Sequence, residues 1–310
     1  MGLTTIQQEQ LSRMVRGTVR LGEPMRQHTT IQVGGPADAW VEPADGEELA
    51  ALLRWATAEG IPWCNIGRGS NLLIRDGGIR GLAVHIGALC SVRIEEGQSQ
   101  SAAVLYAEGG AKLKRLLGLC AEEGLAGLEG LEGIPGTVGG ALVMNAGTPA
   151  GCIGDAVLEV IWCDRTGKLV TRSREAMEFG YRRAKVPRQA VIVAARLSVS
   201  RSSPDAVRAR LETLRANRQA AQPGHQPSLG SIFKNPGGKS AWQLIEEAGL
   251  KGVRVGGARV ANQHGNWIVN EGGATAKDVE VLIRLIRERV KESSGILLEP
   301  EIVMMGEELQ

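Results

Sequence analysis

The stretch GLEGLEGIPGTVGGALVMNAG at residues 127–147 decides the fold, because it is too rich in glycine for a plain helix and too apolar for a linker. We expect a folded ligand loop here. Its centre, residues 133–140, combines glycines with one hydroxyl donor, so its backbone N–H groups can surround anionic oxygens. The stretch GRGSNLL at residues 67–73 follows a predicted strand and offers a similar combination. One extended ligand with a diphosphate, bound between two lobes, would use both loops.

Neither loop is a standard nucleotide fingerprint. Residues 67–72 lack the third glycine of GxGxxG, and no helix is predicted directly after them. The stretch GKS at residues 238–240 resembles the end of a P-loop, but Phe233 stands where that motif requires glycine. We therefore expect neither a Rossmann nucleotide site nor a P-loop.

Composition excludes several classes of partner. The 36 Lys and Arg against 34 Asp and Glu give a net charge of +2, too balanced for nucleic acid or an anionic membrane. The five cysteines are widely spaced without a CxxC pair, so neither a metal site nor a disulfide framework is expected. The N-terminus lacks the apolar core of a signal peptide. We expect a cytoplasmic monomer that acts on a small molecule.

The length of 310 residues predicts two or three domains. A helix over 45–60, flanked by strands at 39–43 and 61–66, forms a β-α-β unit, and a strongly amphipathic helix is expected over 276–292. The polar stretch ending at Pro204 marks the best boundary. We predict a helical extension (1–20), two lobes (21–88 and 89–203) and a C-terminal domain (204–310).

Six ordered motifs resemble one enzyme family. They lie at residues 67–73, 133–140 with 144–147, 181–182, 230–236, 248–252 and 298–302. Their order and spacing are similar to those of the UDP-N-acetylenolpyruvoylglucosamine reductases, in the compact subgroup that lacks an extra loop over the substrate. The resemblance extends from about Thr29 to the C-terminus.

The resemblance implies the fold class α+β, with a two-lobed FAD-binding domain of the vanillyl-alcohol-oxidase (PCMH) type and a C-terminal α+β substrate-binding domain. It implies an oxidoreductase of peptidoglycan precursor synthesis that holds FAD tightly and consumes NADPH. The enzyme would reduce UDP-N-acetylglucosamine enolpyruvate to UDP-N-acetylmuramate.

The same resemblance assigns site residues. Arg182 meets the negative charge of the reacting carboxylate, Ser231 donates the proton, and Glu301 completes the site, with Glu299 as its competitor. The expected FAD contacts are Gly67, Arg68, Gly69, Ser70, Asn71, Leu72, Gly133, Pro135, Gly136, Thr137, Gly139, Gly140, Asn145, Gly147 and Arg218. Substrate contacts are expected from Tyr181, Lys234 and Asn235.

Two positions depart from the family pattern. Ala184 stands where a serine often follows the arginine, and Trp242 stands where many members have glycine. Two other functions stay open on the sequence. One is an oxidase of the same FAD-binding type that uses oxygen, and the other is a binding module without chemistry.

Overall fold

The computed structural model describes residues 2–97, 99–222, 224 and 226–309. The helices are α1 (Thr5–Met14), α2 (Gly46–Ala58), α3 (Leu113–Glu123), α4 (Val138–Met144), α5 (Ile153–Ala156), α6 (Pro204–Ala221), α7 (Ala241–Glu247) and α8 (Ala276–Ser294). The strands are β1 (Thr18–Pro24), β2 (Pro36–Glu42), β3 (Trp63–Asn65), β4 (Leu72–Ile74), β5 (Ile79–Val84), β6 (Val92–Glu96), β7 (Ala102–Glu108), β8 (Leu125–Ala126), β9 (Gly147–Thr148), β10 (Gly151–Cys152), β11 (Val157–Asp164), β12 (Leu169–Ser173), β13 (Ala190–Arg201), β14 (Ser228–Ser231), β15 (Arg254–Val255), β16 (Ala258–Val260), β17 (Trp267–Asn270) and β18 (Val303–Met305).

The chain forms two compact units. The first unit comprises Met1–Leu21, Ala39–Arg68 and Gly81–Arg218, and the second comprises Gly22–Asp38, Gly69–Arg80 and Gln219–Gln310. The second unit therefore combines the C-terminal third of the chain with two short segments from the N-terminal part. The division into four segments that the sequence predicts cuts the chain at other points and stays a prediction.

The first unit contains two hydrophobic cores. One core packs α2 beside strands of the sheet β1-β2-β5-β3, with Leu49, Leu52 and Leu53 fully buried. The other packs α3 and α4 against the sheet β12-β11-β13-β7-β6, in which adjacent strands are antiparallel. Leu11 of α1 is fully buried in the first of these cores, so the N-terminal helix is an integral part of the unit.

The second unit is built around α8. The predicted stripe of Val279, Leu282, Ile283, Ile286 and Val290 is buried, as the 3.6-residue period requires. It packs in one core with residues of the sheet β14-β17-β16-β15 and with Ile31, Val33 and Leu73 from the two N-terminal segments. A capping box at Thr275 begins the helix, and Gly295 in left-handed conformation ends it.

The glycine-rich stretch at 127–147 is more helical than the sequence predicts. Residues Glu129–Leu131 form a 3-10 turn, and α4 occupies Val138–Met144. Thr137 begins α4 by accepting the N–H of Gly140 at 3.3 Å. A Cβ at Gly139 would lie 3.1 Å from the carbonyl oxygen of Gly109, so this glycine permits close packing of the helix on a neighbouring strand end.

None of the helices in the described residues combines the length and apolar character needed to cross a membrane.

Candidate active site

Backbone pairing brings Ser231 and Glu301 to neighbouring positions. The chain leaving β14 at Ser231 runs antiparallel to the segment that contains Glu301. The N–H of Glu301 donates to the carbonyl of Ile232 at 2.7 Å, and the N–H of Lys234 donates to the carbonyl of Glu299 at 2.9 Å. The hydroxyl and the carboxylate that the sequence assigns to the chemistry are thus carried by adjacent strand-like segments of the second unit.

Asn71 fixes the backbone next to Glu301. Its side-chain Nδ2 donates to the Glu301 carbonyl at 3.1 Å, and its own carbonyl accepts the N–H of Val303 at 2.9 Å. The parallel pairing of β4 with β18 continues this contact from Leu72. The sequence predicts Asn71 as a cofactor contact only, and no sequence signal connects it with Glu301.

Gly69 has a structural reason to be glycine. Its φ is +67°, and a Cβ there would lie 1.9 Å from the carbonyl oxygen of His28. The loop that begins at Gly67 is therefore held in place by the segment before β2, while Arg68 stays exposed and Ser70 half-buried.

Two predicted substrate residues already have protein partners. The Nζ of Lys234 donates to Oε1 of Glu299 at 2.6 Å. The Oδ1 of Asn235 accepts the N–H of Ala241 at 2.9 Å, at the start of α7. Lys234 can exchange the exposed carboxylate of Glu299 for a ligand anion, whereas Asn235 shapes the loop through its contact at the start of α7.

Arg182 lies at the tip of a tight turn in the first unit. Gly180 and Arg183 close the turn with reciprocal N–H to carbonyl hydrogen bonds of 3.0 and 3.2 Å. Arg182 has a φ of +53°, in the left-handed region that long side chains rarely adopt. Its guanidinium lies 5.2 Å from the ring centre of Tyr181, which is largely exposed.

Arg218 joins Arg182 in one positively charged region. Burial lowers the pKa of Arg218, and the nearby charge of Arg182 lowers this pKa further. Two guanidinium groups in one region attract an anion. The Cδ of Arg218 lies 2.5 Å from the point where a Cβ of Gly133 would stand. Arg218 and the glycine loop are therefore in direct contact.

Two other arginines of α6 bind the segment before Gly133. Arg215 donates to Glu132 at 2.8 Å, and Arg210 pairs with Glu129 at 3.4 Å. The sequence predicts a solvated basic face on this helix with Arg218 as the exception. Arg210 and Arg215 are indeed half-exposed at their side chains, but both have carboxylate partners.

The two glycine loops meet at Gly67 and Thr137. A Cβ at Gly67 would come 3.2 Å from the Oγ1 of Thr137 and would contact nothing else closely, which leaves open space beside it. Two residues before Gly67, the Oδ1 of Asn65 is buried and accepts no hydrogen bond from the described part of the chain. An acceptor in this state fits a ligand that offers a hydroxyl or N–H donor.

The predicted cofactor residues of the second loop divide by exposure. Gly133, Pro135 and Gly140 are exposed, Gly136 is half-buried, and Thr137, Gly139, Asn145 and Gly147 are buried. Gly147 is required by the β9-β10 pair, because its Cβ would lie 2.5 Å from the Cα of Cys152. The carboxamide of Asn145 contacts backbone groups at Gly154 and Gly180.

The structure thus brings the predicted residues together in two sets. Arg182, Arg218, Gly67 and the loop at 133–140 belong to the first unit. Ser231, Glu301, Asn71 and Lys234 belong to the second.

Two family models match this chain. Residues 37–173 match the family model described as FAD binding domain, and residues 222–305 match the C-terminal domain of UDP-N-acetylenolpyruvoylglucosamine reductase. The predicted fold class is confirmed.

Two relatives named UDP-N-acetylenolpyruvoylglucosamine reductase cover nearly the whole chain. The protein from Geobacter sulfurreducens is 44% identical over 95% of this chain and 96% of its own length. The protein from Methylococcus capsulatus is 44% identical over 94% of each chain. The crystal structure of the reductase from Thermus caldophilus matches with a TM-score of 0.78 and 36% identity, over 93% of this chain and 98% of that one. The chain therefore belongs to the UDP-N-acetylenolpyruvoylglucosamine reductase family.

Proposed function

We propose that Arg182, Ser231 and Glu301 carry out the chemistry of the reaction for which the family of this chain is named. The reaction is the FAD-dependent reduction of UDP-N-acetylglucosamine enolpyruvate to UDP-N-acetylmuramate in peptidoglycan synthesis, with NADPH as the reductant. The observation that carries the proposal is the pairing of Glu301 with Ile232, which sets the carboxylate-bearing segment beside Ser231.

The residues of the two glycine loops fit FAD. Gly67 opens space beside Thr137, and the buried Oδ1 of Asn65 offers an acceptor for a ribose or flavin donor. Arg218 next to Gly133 supplies positive charge suited to a diphosphate. FAD held by these residues would supply the hydride-transfer chemistry that links NADPH to the enolpyruvyl group.

Arg182 has the chemistry needed to stabilise the developing charge. Addition of hydride to the methylene carbon places negative charge on the substrate carboxylate as an enolate. A guanidinium forms paired hydrogen bonds with such a group and keeps its own positive charge. The left-handed turn and the aromatic contact with Tyr181 hold Arg182 in a defined direction before substrate binds.

Ser231 would supply the proton that completes the product. The enolate carbon is strongly basic, so even a hydroxyl can transfer a proton to it when correctly placed. Glu301 is proposed to orient this hydroxyl and the substrate, because its backbone N–H bonds to Ile232, the residue that follows Ser231.

We further propose a cytoplasmic monomer that binds neither nucleic acid nor membrane. The near balance of charges and the unpaired state of all five cysteines support this proposal. Light scattering during gel filtration tests the monomer, and a dimer would contradict it.

Product analysis tests the proposed activity. The purified protein is incubated with NADPH and UDP-N-acetylglucosamine enolpyruvate without oxygen, and the nucleotide sugar is examined by mass spectrometry. We expect a product with two added hydrogen atoms and an equal amount of NADPH consumed. Consumption of NADPH only when oxygen is present would support an oxidase and contradict the proposal.

A further inference from the structure

A buried amide connects the second glycine loop with the turn that carries Arg182. Asn145 is only 7% exposed and ends α4 with a φ of +44°. Its Nδ2 donates to the carbonyl of Gly180 at 2.9 Å, and its Oδ1 accepts the N–H of Gly154 at 3.0 Å. One carboxamide thus links the end of α4, the first turn of α5 and the turn that carries Arg182.

The turn that Asn145 contacts needs external support. Left-handed backbone at a residue with a long side chain is strained, and it persists only when the surroundings impose it. Gly180 is the residue whose carbonyl closes the turn by accepting the N–H of Arg183. Because Asn145 donates to the same carbonyl, it holds the fixed end of the turn.

Packing around Asn145 leaves little freedom for this contact to shift. A Cβ at Gly154 would lie 2.6 Å from the Oδ1 of Asn145 and 2.8 Å from the ring of Phe179. Phe179 immediately precedes the turn. The glycine at 154 is therefore needed for the amide and the aromatic ring to meet above it.

We propose that Asn145 is a positioning residue for Arg182, which sets the direction of the guanidinium through the carbonyl of Gly180. This proposal rests on the proposed function and gives Asn145 a role other than the FAD contact predicted from the sequence. The role requires an amide, because a carboxylate would keep the acceptor for Gly154 but would face the Gly180 carbonyl with a second acceptor.

The nearly isosteric variant Asn145→Asp tests this role in the flavin-loaded enzyme. Anaerobic stopped-flow measures flavin reduction by NADPH and flavin reoxidation by the enolpyruvyl substrate as separate steps. We expect reoxidation to slow about 10–100-fold, while reduction by NADPH and the flavin spectrum stay unchanged, because an oriented group displaced by about 1 Å loses that much. Equal slowing of both steps, loss of FAD or no slowing would overturn the proposal.

A second readout does not depend on activity. Hydrogen exchange of the peptide that covers residues 180–183 is compared in the FAD-free proteins. The amide of Arg183 should exchange faster in Asn145→Asp than in the native chain, since its acceptor carbonyl has lost a second anchor. Unchanged exchange would contradict the anchoring role.

Asn270→Asp is the matched control. Asn270 also donates through Nδ2 to a carbonyl, that of Ile31 at 3.0 Å, and accepts backbone N–H groups through Oδ1. This variant should lose a comparable hydrogen bond without changing the ratio of the two flavin half-reactions. If the native enzyme itself shows neither half-reaction, the proposed function fails. If the native enzyme shows both half-reactions and Asn145→Asp shows them at the same rates, the positioning role alone fails.

Discussion

Lys234 pairs with Glu299 at 2.6 Å, and this contact distinguishes the two glutamates of the segment at 298–302. Glu299 is 70% exposed at its side chain and neutralises a lysine, whereas Glu301 is half-buried on the segment bonded to Ile232. Side chains alternate along a strand-like segment, so Glu299 and Glu301 lie on the same face. Only Glu301 donates its backbone N–H to Ile232, the residue that follows Ser231. We therefore propose Glu301, rather than Glu299, for the chemical role.

Replacement of the two glutamates tests this assignment. Glu301→Gln should lower the limiting rate of turnover about 10–1,000-fold, because an amide cannot supply the negative charge that orients the donor. Glu299→Gln should leave the limiting rate within about threefold and change only KM, because Glu299 pairs with Lys234, a predicted substrate contact. Steady-state kinetics with varied substrate separates the two effects. A larger loss of limiting rate in Glu299→Gln than in Glu301→Gln would show that Glu299, not Glu301, has the chemical role.

Removal of the Ser231 hydroxyl should affect one half-reaction. Ser231→Ala lacks the proposed proton donor, so flavin reoxidation by the enolpyruvyl substrate should slow about 10²–10⁴-fold. Reduction of the flavin by NADPH needs no such donor and should stay unchanged. Ser228→Ala, in the same strand β14, is the control and should alter neither step. Equal slowing of both steps in Ser231→Ala would refute the assigned role.

A methyl group at Gly133 should weaken FAD binding. The new Cβ would displace Arg218, and the φ of +71° adds backbone strain. Loss of one charge-assisted hydrogen bond predicts at least about tenfold weaker binding. Gly118→Ala in α3 is the control, because a Cβ there meets nothing within 4 Å. Fluorescence titration of the FAD-free protein measures both variants, and equal affinity for FAD would show that Arg218 does not contact the cofactor.

Acid should remove one specific contribution to stability. Burial alone would raise the pKa of Glu48, but hydrogen bonds from the backbone N–H groups of Gly17, Ala44 and Arg16 and from the Arg16 side chain outweigh it and lower this pKa. A carboxyl with a lowered pKa stabilises the fold above its unfolded pKa of about 4.3, and this stability is lost as pH falls through the folded value.

Glu48→Gln should therefore destabilise the protein by about 1–3 kcal/mol at neutral pH, and the difference from the native chain should shrink below about pH 4. Urea unfolding of the FAD-free proteins at both pH values gives the two free energies. The exposed Glu47→Gln is the control, expected to change stability little. A difference that stays constant across this pH range would show that Glu48 titrates normally.

The sequence was sufficient for the elements with strong periodicity. The stripe of α8 and the left-handed glycine after α2 were predictable because apolar spacing and capping act within one helix. The contact of Asn71 with Glu301 was not, since it joins distant segments by a side chain on a backbone carbonyl. Helix α4 was missed because Gly139 packs against Gly109, a tertiary contact that overrides the low helix propensity of glycine.

Anaerobic absorption spectroscopy of the flavin-loaded protein tests the central claim most directly. NADPH should bleach the flavin band, and UDP-N-acetylglucosamine enolpyruvate should then restore it without oxygen. If NADPH bleaches the flavin and only oxygen restores it, the proposed reaction is contradicted. The roles proposed for Ser231 and Glu301 would then be wrong.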